Sequence, residues 1–300
     1  MTHRHYSSAG FTLIEMIMVI VITGILAGMV AVFITKPVEG YVDSVRRAEL
    51  TDAADVALRR ITRDVRLALP NSLRLKDAAN NTVATCAAGA ECYVEFIITK
   101  SGGRYRDPTD GSNCATAKCI SFTDTSTKTF DILGKSSPDD PPNIANGDFI
   151  VIYNLGPGYA PADAYSATAQ KNITTVTVAA GTPYTVTMGT NVFASQIPPL
   201  SSPSARFQVV GAAEKVVRYG CTGGVLTRYS GCDFVNTETG CTGAALAGSA
   251  AAEPKASCTI EYQPNATGRN GLIYIQLKLT DTPSGESVTL FQQIHVDNSP

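Results

Sequence analysis

GFTLIEMIMVIVITGILAGMVAVFITKP, residues 10–37, is the stretch from which the rest of the chain has to be read. Between Met16 and Ile34 it runs nineteen residues without a charge. At ~1.5 Å rise per residue such a helix spans about 29 Å, the hydrocarbon thickness of a bilayer. A membrane-spanning helix over 11–35 follows. The competing reading is the apolar core of a cleaved secretory signal, but such cores run to about 15 residues and are followed by an A-x-A site, which is absent here. The short head Met1 to Gly10 carries Arg4 with His3 and His5. Those charges keep this end cytoplasmic and send the remainder to the periplasm or exterior.

Outward from the span, the chain has the composition of a folded secreted protein. Its 300 residues, 44% of them hydrophobic, exclude disorder throughout. A net charge of −2 with 17% charged residues gives no long-range field for a polyanion, so nucleic acid is not an expected partner. All eight cysteines (Cys86, Cys92, Cys114, Cys119, Cys221, Cys232, Cys241, Cys258) lie beyond the span, where disulfides form. Zinc would need tight C-x2-C pairs or nearby histidines, and His295 is the only histidine in this region. Neither a metal nor a cofactor is expected. Eight cysteines allow roughly a hundred pairings; the simplest local scheme joins Cys86 to Cys92, Cys114 to Cys119, Cys221 to Cys232 and Cys241 to Cys258.

The junction Gly10-Phe11-Thr12-Leu13-Ile14-Glu15 carries a charge where one is costly. A carboxylate at mid-bilayer depth costs roughly 2.5 to 3.5 kcal/mol. Either Glu15 reaches interfacial water or something cationic compensates it. A cut after Gly10 would create an amine at Phe11, one helical turn from Glu15. Ala9 to Glu15 followed by an unbroken apolar helix resembles the class III leader of type IV pilins and type II secretion pseudopilins. The resemblance implies that a prepilin peptidase cuts between Gly10 and Phe11 and N-methylates Phe11. It also implies that Glu15 pairs with the Phe11 amine of a neighbouring subunit in a filament. The implied partners are that peptidase and methylase, other major and minor pilins, and an inner-membrane assembly platform.

Further along, Gly24 and Gly28 form a G-x-x-x-G spacing that permits close helix approach in lipid. Pro37 is expected to kink or interrupt the helix at the membrane surface. An amphipathic helix over 36–70 is then read from Val38, Val42, Val45, Ala53, Val56, Ala57, Ile61, Val65 and Ala68, with Pro70 ending it. Asp43/Arg47, Asp55/Arg59 and Arg60/Asp64 are i, i+4 pairs on a solvated face, with Arg59, Arg60, Arg63 and Arg66 clustered near its end.

Beyond Leu73 short β-branched and aromatic runs take over: Tyr93 to Thr99, Ile120 to Thr123, Phe149 to Asn154, Ile173 to Val178, Tyr184 to Met188, Phe207 to Val210, Val216 to Tyr219, Val225 to Tyr229 and Thr259 to Tyr262. Leu272 to Leu279 and Val288 to Val296 form a terminal antiparallel hairpin. The expected fold is α+β: a long N-terminal helix followed by a disulfide-containing, antiparallel β-rich domain over 71–300, subdivided near 136–146 or 198–204. Residues 38–55, 59–71, 206–210 and 293–300 resemble the minor pilins of the mannose-sensitive haemagglutinin (MSHA) pilus, which implies a subunit that initiates, primes or caps a filament.

Enzymatic residues are not apparent. No G-x-S-x-G elbow surrounds a serine, and His295 beside Asp297 reads as a structural hydrogen-bonding residue. Asp107 with Asp110, or Asp139 with Asp140, are conceivable calcium ligands without a D-x-D-x-D-G loop, and loop acidity is the preferred reading. The sequons at Asn172 and Asn265 carry little weight. Two function classes stay open: a filament subunit of a pilus or of type II secretion, and a surface adhesin, DNA-binding or other ligand-binding module on a pilin-type anchor.

Overall fold

The computed structural model describes residues 10–108, 113–116, 118–135, 142–178, 185–249, 251–264, 266 and 270–300. The expectations for His3, Arg4, His5, Ala9, Asp110, Asp139, Asp140, Tyr184 and Asn265 fall outside them. The architecture is α+β, with one long apolar N-terminal helix, antiparallel sheets after it and four disulfides. The chain divides into two compact units, Met1–Glu49 and Leu50–Pro300.

Helix α1 covers Leu13–Arg66 and runs through Pro37 without the expected interruption. Proline removes a single N–H from the ladder, and the bonds on either side of it persist. The helix ends at Arg66, ahead of Pro70, because strand-like pairing captures the next residues. Leu69 N–H donates to Ile97 O at 2.8 Å, and Ala68 bridges Ile98.

Within the second unit the helix buries Leu50, Ala54, Ala57, Leu58, Ile61, Asp64 and Val65. The spacing is that of one helical face. Val56, expected in that stripe, is 60% exposed, while Ala54, not expected there, is packed beside the expected Ala57, Ile61 and Val65. Asp64 corrects the expected solvated face more sharply. Rather than pairing with Arg60 it is buried, its Oδ2 accepting from Tyr219 Oη and Arg228 Nε, each at 2.7 Å. Arg228 also reaches Glu214 at 2.9 Å.

Sixteen strands follow among the described residues. The first sheet, ordered β13-β12-β11-β4-β1-β2, is built from β1 (Arg74–Asp77), β2 (Thr82–Val83), β4 (Cys92–Ile97), β11 (Val216–Thr222), β12 (Val225–Cys232) and β13 (Thr242–Gly248). The second, β5-β10-β7-β8-β9-β6, uses β5 (Ser101–Arg104), β6 (Thr129–Asp131), β7 (Phe149–Val151), β8 (Ile173–Val178), β9 (Thr185–Met188) and β10 (Arg206–Val210). The third, β16-β15-β14-β3, uses β3 (Thr85–Cys86), β14 (Lys255–Gln263), β15 (Asn270–Asp281) and β16 (Glu286–Asp297). Its terminal hairpin pairs Leu272 with His295 and Leu279 with Val288. Ile120 to Thr123 forms no strand. Phe122 packs against the rings of Tyr105 and Phe193 instead, so its run of apolar residues serves packing rather than pairing.

The largest core joins the α1 face to the first and third sheets, with Leu75, Val94, Phe96, Tyr219, Ile273, Ile275 and Leu277 fully buried or nearly so. The second sheet has its own core around Tyr105, Phe130, Phe193 and Phe207. Disulfides Cys86–Cys92 and Cys114–Cys119 close short loops. In the last third the local pairing is replaced: Cys221 joins Cys258 and Cys232 joins Cys241. Cys221 lies on β11 and Cys258 on β14, so this bridge ties the first sheet to the third.

Two outcomes test this arrangement. Asp64→Ala removes the buried carboxylate that Tyr219 and Arg228 share, leaving Arg228 with Glu214 alone, and should destabilise the folded unit by about 3 kcal/mol in denaturant unfolding. Mass spectrometry of a non-reduced digest should recover Cys221 linked to Cys258; a Cys221–Cys232 peptide would contradict the topology.

Candidate functional site

The first turn of α1 explains its own start. Thr12 Oγ1 accepts from Glu15 N–H at 3.3 Å, while Thr12 N–H donates to Glu15 Oε2 at 3.3 Å. The Thr12 hydroxyl also lies 3.4 Å from Oε2. This reciprocal arrangement is a capping box, satisfying backbone donors that a helix N-terminus leaves unpaired. The T-x-x-E spacing before an apolar run was its sequence signal. Sequence reasoning weighed Glu15 only as a charge and missed Thr12. The carboxylate also sits favourably at the positive end of the helix dipole. Its second oxygen, Oε1, has no hydrogen bond among the described residues, so it is free to meet a cation from outside the chain.

From Gly10 to Glu49 every residue is exposed. Phe11 is 82% and Phe33 80% exposed, and none of the apolar window is buried. Among the described residues nothing buries this surface, as expected of a helix whose solvent is lipid or other helices. Its few polar side chains are satisfied internally: Thr23 Oγ1 donates to Val19 O at 2.6 Å and Thr35 Oγ1 to Ala31 O at 3.0 Å. A Cβ built on Gly24 or Gly28 would meet nothing within 4 Å, so the G-x-x-x-G face is open.

The other candidate residues are dispersed. His295 is exposed on β16 and its ring makes no hydrogen bond among the described residues, contrary to the structural bond expected of it. Strand alternation accounts for this: Ile294 and Val296 take the buried face and His295 the other. Asp107 borders a surface cleft with Pro108, Lys118 and the Cys114–Cys119 bridge. Asn172 is buried and donates to Asn154 Oδ1 at 3.2 Å, which removes its sequon from the surface. Among the described residues no group of three or more His, Cys, Asp or Glu is placed to hold a metal.

Two buried charge groups, neither foreseen from sequence, lie within the second unit. One is Asp64 with Tyr219 and Arg228. In the other, Glu95 pairs with Arg74 and lies 3.2 Å from Arg218, while Arg74 sits 3.7 Å from the Tyr165 ring centroid. Burial pushes the Tyr165 and Tyr219 hydroxyls far above the ordinary phenol range. Desolvation, with Arg74 nearby, lowers Lys76.

Comparison with known proteins agrees with the position of the helix start. The family model described as "Prokaryotic N-terminal methylation motif" matches residues 6–31, which supports a type IV pilin-like protein that is processed by a prepilin peptidase and associated with the membrane. No curated protein and no solved structure gives a significant match.

Removing the cap should fray the helix start. Thr12→Val is expected to cost about 0.5–2 kcal/mol locally. Faster amide exchange confined to Leu13–Met16 in micelles is the expected readout; unchanged exchange would show that the box contributes nothing.

Proposed function

We propose that this chain is a minor pilin, cut between Gly10 and Phe11, N-methylated at Phe11, and built into a type IV filament of the MSHA type as an MshO-like subunit that initiates, primes or caps it. The observation that carries the proposal is the methylation motif set at the start of a helix whose N-terminal apolar window has no buried residue among those described. Processing would place a new amine beside Thr12, and the open Oε1 of Glu15 offers each subunit one acceptor for a neighbour's amine. A buried charge alone is costly, whereas a complementary pair at matching depth is tolerated. The exposed Gly24/Gly28 face gives helices a place to approach closely. In this reading the N-terminus is cytoplasmic before cleavage, the outer unit is periplasmic, and the assembled subunit reaches the cell surface. A type II secretion pseudopilin would use the same helix and the same processing, and a pilus-borne adhesin would add ligand contact through the disulfide-closed loops.

The decisive measurement is mass spectrometry of the N-terminal peptide from native membranes with and without an active prepilin peptidase. A chain starting at N-methyl-Phe11 only when the peptidase is present is the expected result; an intact Met1 would remove the protein from this pathway. Glu15→Val should abolish filament incorporation while the outer unit keeps its fold, and normal incorporation of the variant would sink the pairing mechanism.

A further inference from the structure

The edges of the three sheets differ in a way that singles out one of them. β2 and β3 have two residues each and β6 three. β5 is the four-residue SGGR, and β13 carries two glycines and an irregular register against β12. These are short, bent or charged edges of the kind that resists further pairing. β16 has none of those protections. Its 12 residues, ESVTLFQQIHVD, pair with β15 in unbroken register, contain no proline, glycine or lysine, and have no acidic or basic residue from Ser287 to Ile294. From Ser287 to Val296 the backbone bonds to β15 alone among the described residues, except that Gln293 O accepts from the neighbouring Gln292 Nε2 at 3.3 Å. A row of donors and acceptors is left open on the far side of the strand.

Next to this strand lies a cationic groove. Arg59, Thr62, Arg63, Arg66 and Leu67 of the α1 end line it together with Gln292 of β16. Arg59 bonds Asp55 at 2.6 Å. Arg63 has only Asp64 at 3.5 Å, and the other oxygen of that carboxylate is engaged by Tyr219 and Arg228. Arg66 has no acidic partner among the described residues, and Leu67 is 45% exposed beside it. The groove therefore combines uncompensated guanidinium groups, an apolar contact and an open strand edge.

We infer that this groove takes an extended acidic segment of another polypeptide, which adds to the third sheet beside β16 with alternate side chains reaching Arg63 and Arg66. Strand addition satisfies the open backbone row, and side chains on every second residue supply specificity. Acidic groups on that spacing match the guanidinium groups in charge and in the bidentate geometry arginine prefers. A nucleic acid would meet the arginines but could not donate along its phosphates to the open carbonyls of β16. The inference stands on the outer unit alone and is independent of filament membership.

The test uses the full chain in detergent and a fluorescein-labelled peptide of three Thr-Glu-Val-Glu repeats, matched to the 12 residues of β16. The expected results are saturable anisotropy, slowed amide exchange confined to residues 287–296, and at least roughly tenfold weaker binding when alternate peptide amides are N-methylated. Arg63→Glu with Arg66→Glu should weaken binding at least about tenfold, while Arg63→Lys with Arg66→Lys retains most of it. Because the methylated peptide leaves the protein untouched, a variant that misfolds does not remove the test. Equal binding of the methylated peptide, protection elsewhere on the chain, indifference of folded charge-reversed protein, or tighter binding of a labelled thymidine dodecamer would each overturn the inference.

Discussion

The carboxylate of Asp64 fixes how the helix end meets the sheets. Taking a charge pair out of water costs several kcal/mol per ion, and it persists only when the remaining polar atoms are also satisfied. Here Tyr219 and Arg228 converge on one oxygen of Asp64, and Arg228 turns its other end to Glu214. With Asp64 pointing inward, helical geometry requires Ala57, Ile61 and Val65 to point inward as well. The same rotation sends Val56, Arg59, Arg60, Arg63 and Arg66 outward. The apolar packing of the helix end and its cationic flank are thus two consequences of one buried group.

Strand alternation carries the constraint across the first sheet. Tyr219 faces Asp64, so its neighbour Arg218 must face the other way, where it meets Glu95 and lies 4.3 Å from the Tyr93 ring centroid. Arg74, paired with Glu95 in register, stacks on Tyr165, whose hydroxyl donates to Ser72 O at 2.9 Å. A chain of asparagines extends this into the rest of the unit. Asn172 donates to Asn154, Asn154 donates to Pro70 O at 2.7 Å, and Asn71 donates to the carbonyls of Asn154 and Asn298. The helix exit, the loop after β7 and the C-terminal segment are joined through these buried and half-buried amides.

What could be read in advance follows from which forces leave a local trace. The apolar span, the long strands of the terminal hairpin and the β-rich character show directly as hydrophobic period, because burial on one face dictates every second residue. β15 buries Gly271, Ile273, Ile275, Leu277 and Leu279 and little else, and its sequence says so. The strands that escaped notice, such as SGGR in β5 and TGAALAG in β13, are held by backbone pairing with exposed or small side chains, which leaves no pattern to find. Cys221 and Cys258 could not be paired by proximity in sequence, since the packing of β14 beside β11 brings them together. Asp64 read as a surface charge because its partners lie more than 150 residues away. The Thr12/Glu15 box was visible in four residues, yet the cost of a carboxylate in lipid drew attention to the charge and away from the cap.

That cap bears on what the N-terminal helix is for. One oxygen of Glu15 holds the first turn together, and the other has no partner among the described residues. A carboxylate carried into a bilayer costs up to roughly 2.5 to 3.5 kcal/mol at mid-depth, and in this helix only the Thr12 cap and the helix dipole offset that cost. Under the proposed processing the relief comes from another subunit's amine at the same depth, while the apolar residues from Leu13 to Ile34 find partners in neighbouring helices. Lipid already solvates those apolar residues well, so they supply contact without much preference for depth. The carboxylate supplies the preference: sliding one helix along another by a turn leaves the apolar contacts nearly unchanged but separates the charges. Register along the filament would thus be set by the one polar group the span retains, and Thr12, by steadying that group's position, takes part in setting it.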